Sequence, residues 1–319
     1  MTATAAPAAP PHFAPPSPAA AFHATLVRDG WLHPAAVAGV PGRSEVFERV
    51  LAGVERHLAA GAAEDGAEVL RFPPVIPRAL LEQSGYLESF PHLAGSVHAF
   101  AGGDADHRAL LRAAEGGATL GAAWTGALPP TAVVLTPAAC YPVYEHARGT
   151  LPEGGRLVDV MSYCFRHEPS DDPARMQSFR MREWVRLGSP DDVRAFRDRW
   201  LERAQALLGA LGLEVHADTA NDPFFGRAGR LKAAAQREQA LKFELLAAVA
   251  DPDHPTAVAS CNYHQQHFGQ KFGIQTADGA AAHTACVGFG LERLVLALVR
   301  RHGTHAAAWP GPVREALGL

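Results

Sequence analysis

The sequence predicts an α+β domain in which a mainly antiparallel sheet is flanked by helices. Three observations carry that prediction. From residue 132 onward, short apolar or alternating runs recur, and most are joined by hairpin-length connections. Parallel strands would need longer crossovers. The helical stripes stand apart from the strands, near the start, at 189–212 and near the end, rather than alternating with them as βαβ units would. The 319 residues suffice for one large or two ordinary domains with a full core, and 48% of them are hydrophobic.

In chain order, residues 1–20 are Ala/Pro/Thr/Ser-rich and uncharged, and read as a disordered tail ahead of a folded unit over 21–319. Residues 44–61 carry Val46, Phe47, Val50, Leu51, Val54 and Leu58 at helical spacing, with Ser44 as the cap. A short strand over 68–72 is halted by Pro73-Pro74, and residues 75–130 resist ordering. Strands are expected over 132–136, 157–166 and 178–187. Ser189-Pro190-Asp191-Asp192 then opens a helix with cap, proline and acidic first turn. A strand over 213–216, a basic polar helix within 221–240, strands over 241–249, 256–263 and 282–289, and an apolar helix over 291–300 complete the chain. Residues 189–240 read as a helical insertion.

Composition excludes several classes. A net charge of −4 argues against a dedicated nucleic-acid binder. Four scattered cysteines without a C-x-x-C argue against a disulfide framework and for a reducing compartment. No apolar run reaches membrane-spanning length and no secretory leader is visible, so the expected location is the cytoplasm, with no membrane partner.

The stretch 165–183, FRHEPSDDPARMQSFRMRE, places charged residues where a plain hairpin would place apolar ones. Arg166 and Glu168 are two apart and are expected on one strand face, as are Phe179, Met181 and Glu183. Charges flanked by apolar residues cost free energy unless they bind something, so this is a binding surface.

These residues resemble motif 2 of class II aminoacyl-tRNA synthetases: Phe165-Arg166-His167-Glu168, a loop, then Arg175, Phe179 and Glu183. Gly288-Phe289-Gly290-Leu291-Glu292-Arg293 resembles motif 3, and Pro73-Pro74 is a weak counterpart of the dimer motif. The resemblance implies an ATP grip, which the chemistry suits: forked arginines hold phosphates and an aromatic face holds adenine. It assigns Arg166 to the α-phosphate, Glu168 to the adenine amino group or the loop, Phe179 to the adenine face, and Arg175 and Arg293 to the γ-phosphate. Arg166 and Arg293 are the expected catalytic residues. Glu244, in KFELL, is the candidate Mg2+ ligand, a buried structural carboxylate being the alternative.

LTPAACYP (135–142) and SCNYHQQHFGQKFG (260–273) are similar to seryl-tRNA synthetase stretches, with Ala138 and Cys140 in place of the pair that holds serine. The rarer zinc-dependent branch of those enzymes binds zinc with Cys, Glu and Cys, which Cys140, Glu183 and Cys286 match in order. Cys164 and Cys261 read as buried small residues.

The resemblance, over roughly residues 22–303, narrows to the amino acid:carrier-protein ligases, truncated homologues of that branch. It implies activation of glycine or alanine with ATP and transfer to the phosphopantetheine thiol of an acyl carrier protein. It also implies a homodimer and no tRNA substrate. Ser260, Asn262 and Asp222 are candidate amino-acid pocket residues. Arg194, Arg197, Arg230 and Lys232 form a candidate docking face for an acidic carrier. Two alternatives stay open: a small synthetase charging tRNA, and a non-catalytic paralogue acting as a binding subunit.

Overall fold

The computed structural model describes residues 17–115 and 127–319. Helix α1 (Pro18–Arg28) starts inside the stretch expected as a tail. Ser17 caps it by accepting from the Ala20 amide, and Phe22 and Leu26 are buried. The expected boundary at 20 therefore moves back to 17; residues 1–16 lie outside the described residues. Helix α2 (Glu45–Gly61) begins where expected, with Ser44 accepting from the Phe47 amide.

Seven strands make the main sheet among the described residues: β1 (Glu68–Arg71), β2 (Arg156–Phe165), β3 (Ser178–Gly188), β4 (His216–Thr219), β5 (Lys242–Ala247), β6 (Thr256–Gln265) and β7 (His283–Gly290). Their spatial order is β4-β5-β6-β7-β3-β2-β1. All neighbours are antiparallel except β1, which runs parallel to β2 at one edge. The hairpin β2–β3 and strand β7 pair through long-range register rather than adjacency in sequence.

Strict alternation along β3 sorts its side chains. Met181, Val185 and Leu187 join one cluster and Trp184 the other, while Phe179 packs against both. On the Trp184 face pack α2, α4 (Pro190–Ala210) and α7 (Leu291–His302). Trp184 stacks on Trp200 of α4 and meets Phe289 edge-on. Arg182 of the same face is buried and donates to both carboxylate oxygens of Asp159 on β2. The opposite face is covered by α3 (Tyr141–His146), α6 (His267–Phe272) and a small sheet of Val75–Pro77, Pro130–Leu135 and Ser96–His98.

Three expectations are corrected. Strand β2 stops at Phe165, so Arg166 and Glu168 stand in the loop beyond it and do not share a strand face. The strand expected at 213–216 begins only at His216, because the Leu213 amide still closes the helix by donating to Leu208 O. The segment 189–240 is not one insertion. Helix α4 buries Val193, Phe196, Trp200, Ala204 and Leu208 in the main core, and β4 is a strand of the sheet. Helix α5 (Gly226–Glu238) is the basic helix expected there, and it buries only Gly229.

Candidate active site

Two transverse rows of the sheet make the floor of a cavity of about 530 Å3, within the usual size of ligand sites. Register aligns Lys242, Asn262, Cys286 and Val185 across β5, β6, β7 and β3. The adjacent row aligns Glu244, Ser260, Gly288 and Glu183. Residues two apart share a face, so both rows point the same way. Gly288 leaves Glu183 room: a Cβ on it would lie 3.3 Å from Glu183 Cγ, a tight contact.

Glu183 and Cys286 come from the sheet and Cys140 from the start of α3. Their ligand atoms all lie within 4.8 Å of one another, and all three side chains are buried. The Cys140 amide donates to Glu183 Oε1 at 3.1 Å, and Asn262 Nδ2 donates to Cys286 Sγ at 3.6 Å. Tetrahedral zinc, with Zn–S near 2.3 Å and Zn–O about 2.0–2.2 Å, spaces its ligand atoms roughly 3.4–3.8 Å apart, so the donor set fits that metal. Without a cation the three acids oppose one another. The Cys140 thiol is pushed well up by its hydrogen bond with Cys286 and by burial, and burial raises the Glu183 carboxyl. Tyr86, Tyr141 and Phe268 line the wall: Tyr141 meets Tyr86 and Phe268 edge-on, and the fully buried Tyr144 stacks on Phe268 at 3.9 Å. His264, kept neutral by burial, lies against Cys286. Cys164 and Cys261 are buried away from this cluster.

Along β3, Phe179 stands four residues from Glu183, roughly 13 Å at the rise of a strand. Here the cavity is lined by Arg166, Phe179, Gly290 and Arg293. The Arg166 guanidinium sits over the Phe179 ring, 5.6 Å from its centroid, and its Nε donates to Pro137 O. Arg293 donates to Ala174 O and Ala257 O at 2.8 and 2.9 Å. Carbonyls hold both arginines; burial works against the Arg166 cation, and Tyr86, Cys164, Glu168 and Asp222 outweigh it and keep its pKa raised. Burial, then Arg166 and Arg175, bring the Arg293 pKa down to about 10. A region where cations crowd one another is an anion site. Glu168 and Arg175 do not line the cavity; Arg175, 53% exposed, reaches Glu168 at 3.5 Å on the loop outside.

Glu244, Ser260, Asn262 and Asp222 line the cavity as well. Sequence reasoning missed the residue that joins two of them. Lys242 is buried, with Nζ 2.6 Å from Asp222 Oδ1 and 2.9 Å from Glu244 Oε1. Burial works against its ammonium, and the two carboxylates outweigh burial and keep its pKa raised. The available signal was Lys242 two residues before Glu244, on one face of an otherwise apolar strand.

The four candidate docking residues separate. Arg197 is buried, donates to Ala240 O and pairs with Asp198, so it leaves the docking face. Its stem lies on the apolar side of α4, which the sequence stripe did not reveal. Arg194 is exposed with its guanidinium over Tyr263. Arg230 and Lys232 are exposed on α5, and Lys232 also lines the cavity rim near Ser89. No helix of the described residues is long and apolar enough to cross a membrane.

No family model matches the chain. Two proteins of Bradyrhizobium diazoefficiens are similar to it: "Amino acid--[acyl-carrier-protein] ligase 1", 50% identical across 88% of this chain and 85% of that protein, and ligase 2, 46% identical across 91% and 86%. The type-2 serine--tRNA ligase of Methanococcus aeolicus is 31% identical over 58% of this chain and 37% of its own length. Among solved structures, the Methanopyrus kandleri seryl-tRNA synthetase, crystallised with a tRNA, superposes with TM-score 0.80 at 21% identity over 93% of this chain. The Pyrococcus horikoshii enzyme, crystallised with ATP, gives 0.69 at 15% identity and 93% coverage. This chain spans about three fifths of each of those two, 60% and 62%, and they establish the class II synthetase fold. Half of the aligned residues are shared with ligase 1 over most of both chains, and on that ground this chain belongs to the amino acid:carrier-protein ligase family.

Proposed function

We propose that the protein activates glycine or alanine with ATP as an aminoacyl-adenylate. It then transfers the aminoacyl group to the phosphopantetheine thiol of an acyl carrier protein. One observation carries the reading: a buried Cys140–Glu183–Cys286 donor set and the arginine-lined Arg166–Phe179–Arg293 end share one cavity.

Cys140, Glu183 and Cys286 would hold zinc, which when bound supplies a Lewis-acid seat for the free amine of the amino acid. Arg166 neutralises charge developing on the α-phosphate as the substrate carboxylate attacks phosphorus and pyrophosphate leaves. Phe179 receives the adenine. Arg293 holds the terminal phosphate, with Arg175 swinging in from its loop and Glu168 released to the adenine edge. Glu244 is a hard oxygen donor shared with Lys242 and fits as one protein ligand of Mg2+, the phosphates supplying the others. In the second step the carrier thiol attacks the aminoacyl carbonyl, the thioester bond forms and AMP leaves. Beside the donor set stand Tyr86, Tyr141 and Phe268, and the nearby charges Asp222, Glu244 and Lys242 are already paired with one another, which favours glycine or alanine. Exposed Arg194, Arg230 and Lys232 would face the acidic carrier. The homodimer belongs to the same proposal; β1 is an open edge strand with Val69 61% exposed.

The test offers radiolabelled glycine, alanine and serine with ATP to holo-carrier, apo-carrier and tRNA. Labelled holo-carrier alone supports the reading. Labelled tRNA with unlabelled carrier would overturn it in favour of a small synthetase, and no adenylate with any amino acid would point to the binding subunit.

A further inference from the structure

A charge cluster around the buried Glu292 takes no part in the chemistry above. It lies behind Phe179, on the helix-covered face of the sheet. Glu292, at the start of α7, is 1% exposed and accepts twice from Arg180 of β3: from its amide at 2.7 Å and from its Nε at 2.9 Å. Both terminal nitrogens of Arg180 fork onto Glu48 of α2 at 2.6 and 2.8 Å. Arg43, 3.4 Å from Glu292 Oε1, donates to Ser178 O at 2.7 Å. The residue before Phe179 is thus held through its carbonyl and the residue after it through its amide. Gln177 is fixed further by Gly39 O and Ala38 O, from the segment that leads to Arg43.

Glu292 is also the residue before Arg293. One carboxylate therefore ties the strand that carries the aromatic ring to the helix that carries the buried guanidinium. Phe179, Glu292, Arg293 and Met176 are among the residues lining a void of about 10 Å3 at this junction. That is about one water's worth of slack. A ring and a cation that grip one ligand need a fixed spacing, and a shift of about 1 Å in such a pair is costly.

We infer that Glu292 is a positioning residue for ATP: through Arg180 and Arg43 it sets the distance between the Phe179 face and the Arg293 guanidinium. The inference rests on the assignment of Phe179 and Arg293 to ATP. Glu292 touches no substrate itself.

Amino-acid-dependent exchange of pyrophosphate into ATP, measured with each substrate varied, tests it. Glu292→Gln keeps the shape and removes the charge that binds two arginines. The expected result is a rise of about tenfold in KM for ATP, with KM for the amino acid changed less than about twofold. Glu48→Gln acts on the same Arg180 from the half-exposed α2 side and should raise KM for ATP about two- to threefold. A folded Glu292→Gln enzyme with wild-type KM for ATP, or with both KM values raised together, overturns the inference and leaves Glu292 a structural residue. If Glu292→Gln does not fold, Glu48→Gln decides, and an unchanged KM for ATP there overturns it. Absence of exchange in the wild-type protein would instead fault the functional reading on which this one stands.

Discussion

The two ends of the cavity are built on opposite electrostatic plans. At the cysteine end, three acidic groups converge in a buried pocket with aromatic walls and leave room for a cation between them. At the arginine end, cations are anchored by the carbonyls of Pro137, Ala174 and Ala257, and no carboxylate forms an ion pair with Arg166 or Arg293 among the described residues. Each end is short of the charge its ligand brings. The difference teaches how one hairpin would serve the two substrates proposed above: β3 places Glu183 at one end and Phe179 at the other, four residues apart on the same face.

The comparison breaks most sharply at the cysteine end. Cys140→Ser replaces a thiolate donor by a hydroxyl that stays protonated. Bound zinc should fall from about one per chain to a small fraction, measured by elemental analysis, because each ligand must bind deprotonated. Amino-acid-dependent exchange should drop by more than about 100-fold, beyond the cost of losing a mere outer partner of a metal ligand. Full zinc content in Cys140→Ser would mean that the acidic end is not a metal site.

At the arginine end the loss should be large but partial. Arg166→Met removes the cation nearest the Phe179 ring, and kcat for exchange should fall by about 10²–10³-fold, as for loss of one preorganised transition-state donor. Zinc content should not change. The pair of results separates the two ends: one variant loses metal and activity, the other activity alone.

Lys242, in the same transverse row as Cys286, ties Asp222 to Glu244 in the adjacent row and sharpens where the boundary runs. Lys242→Met leaves Asp222 and Glu244 without their shared ammonium, at a cost of about 1–3 kcal/mol, read as a fall of several degrees in Tm. Its effect on exchange should be smaller than that of Arg166→Met, with restoration as Mg2+ is raised if Glu244 is the carboxylate that meets the metal.

How much of this was legible follows the range of the interactions. The caps of α2 and α4, the stripes beneath them and the alternation of β3 are local, and the residues state them. Register is not local. Cys140, Glu183 and Cys286 are 43 and 103 residues apart; strand pairing brings Glu183 beside Cys286, and the packing of α3 on the sheet brings Cys140 to both; resemblance, not spacing, predicts that they meet. Alternation does not mark where a strand ends: β2 stops at Phe165, so Arg166 and Glu168, expected on one strand face, fall in the loop beyond it. Buried charges were the other blind spot. Arg180, Arg182 and Arg197 look in sequence like solvated residues, yet each is enclosed because its partner, Glu48, Asp159 or Ala240 O, lies on a different element.

The smallest effect is expected farthest from both ends, on α5. Arg230 and Lys232 are exposed, and only Lys232 reaches the cavity rim. Rim charges act mainly on encounter and are screened by salt, since the Debye length is about 8 Å at physiological ionic strength. The double variant Arg230→Glu, Lys232→Glu should raise KM for an acidic carrier by about 3–10-fold at low salt and less as salt is added. Exchange, which needs no carrier, should stay near wild type because neither side chain reaches the donor set or the arginines. If exchange and transfer fall together, α5 supports the cavity wall through the Gln236–Asp222 hydrogen bonds and is not a separate docking face. If transfer alone falls and the loss vanishes in high salt, the carrier approaches over α5. Its thiol then enters past Lys232, between the two charge-deficient ends that have already made its substrate.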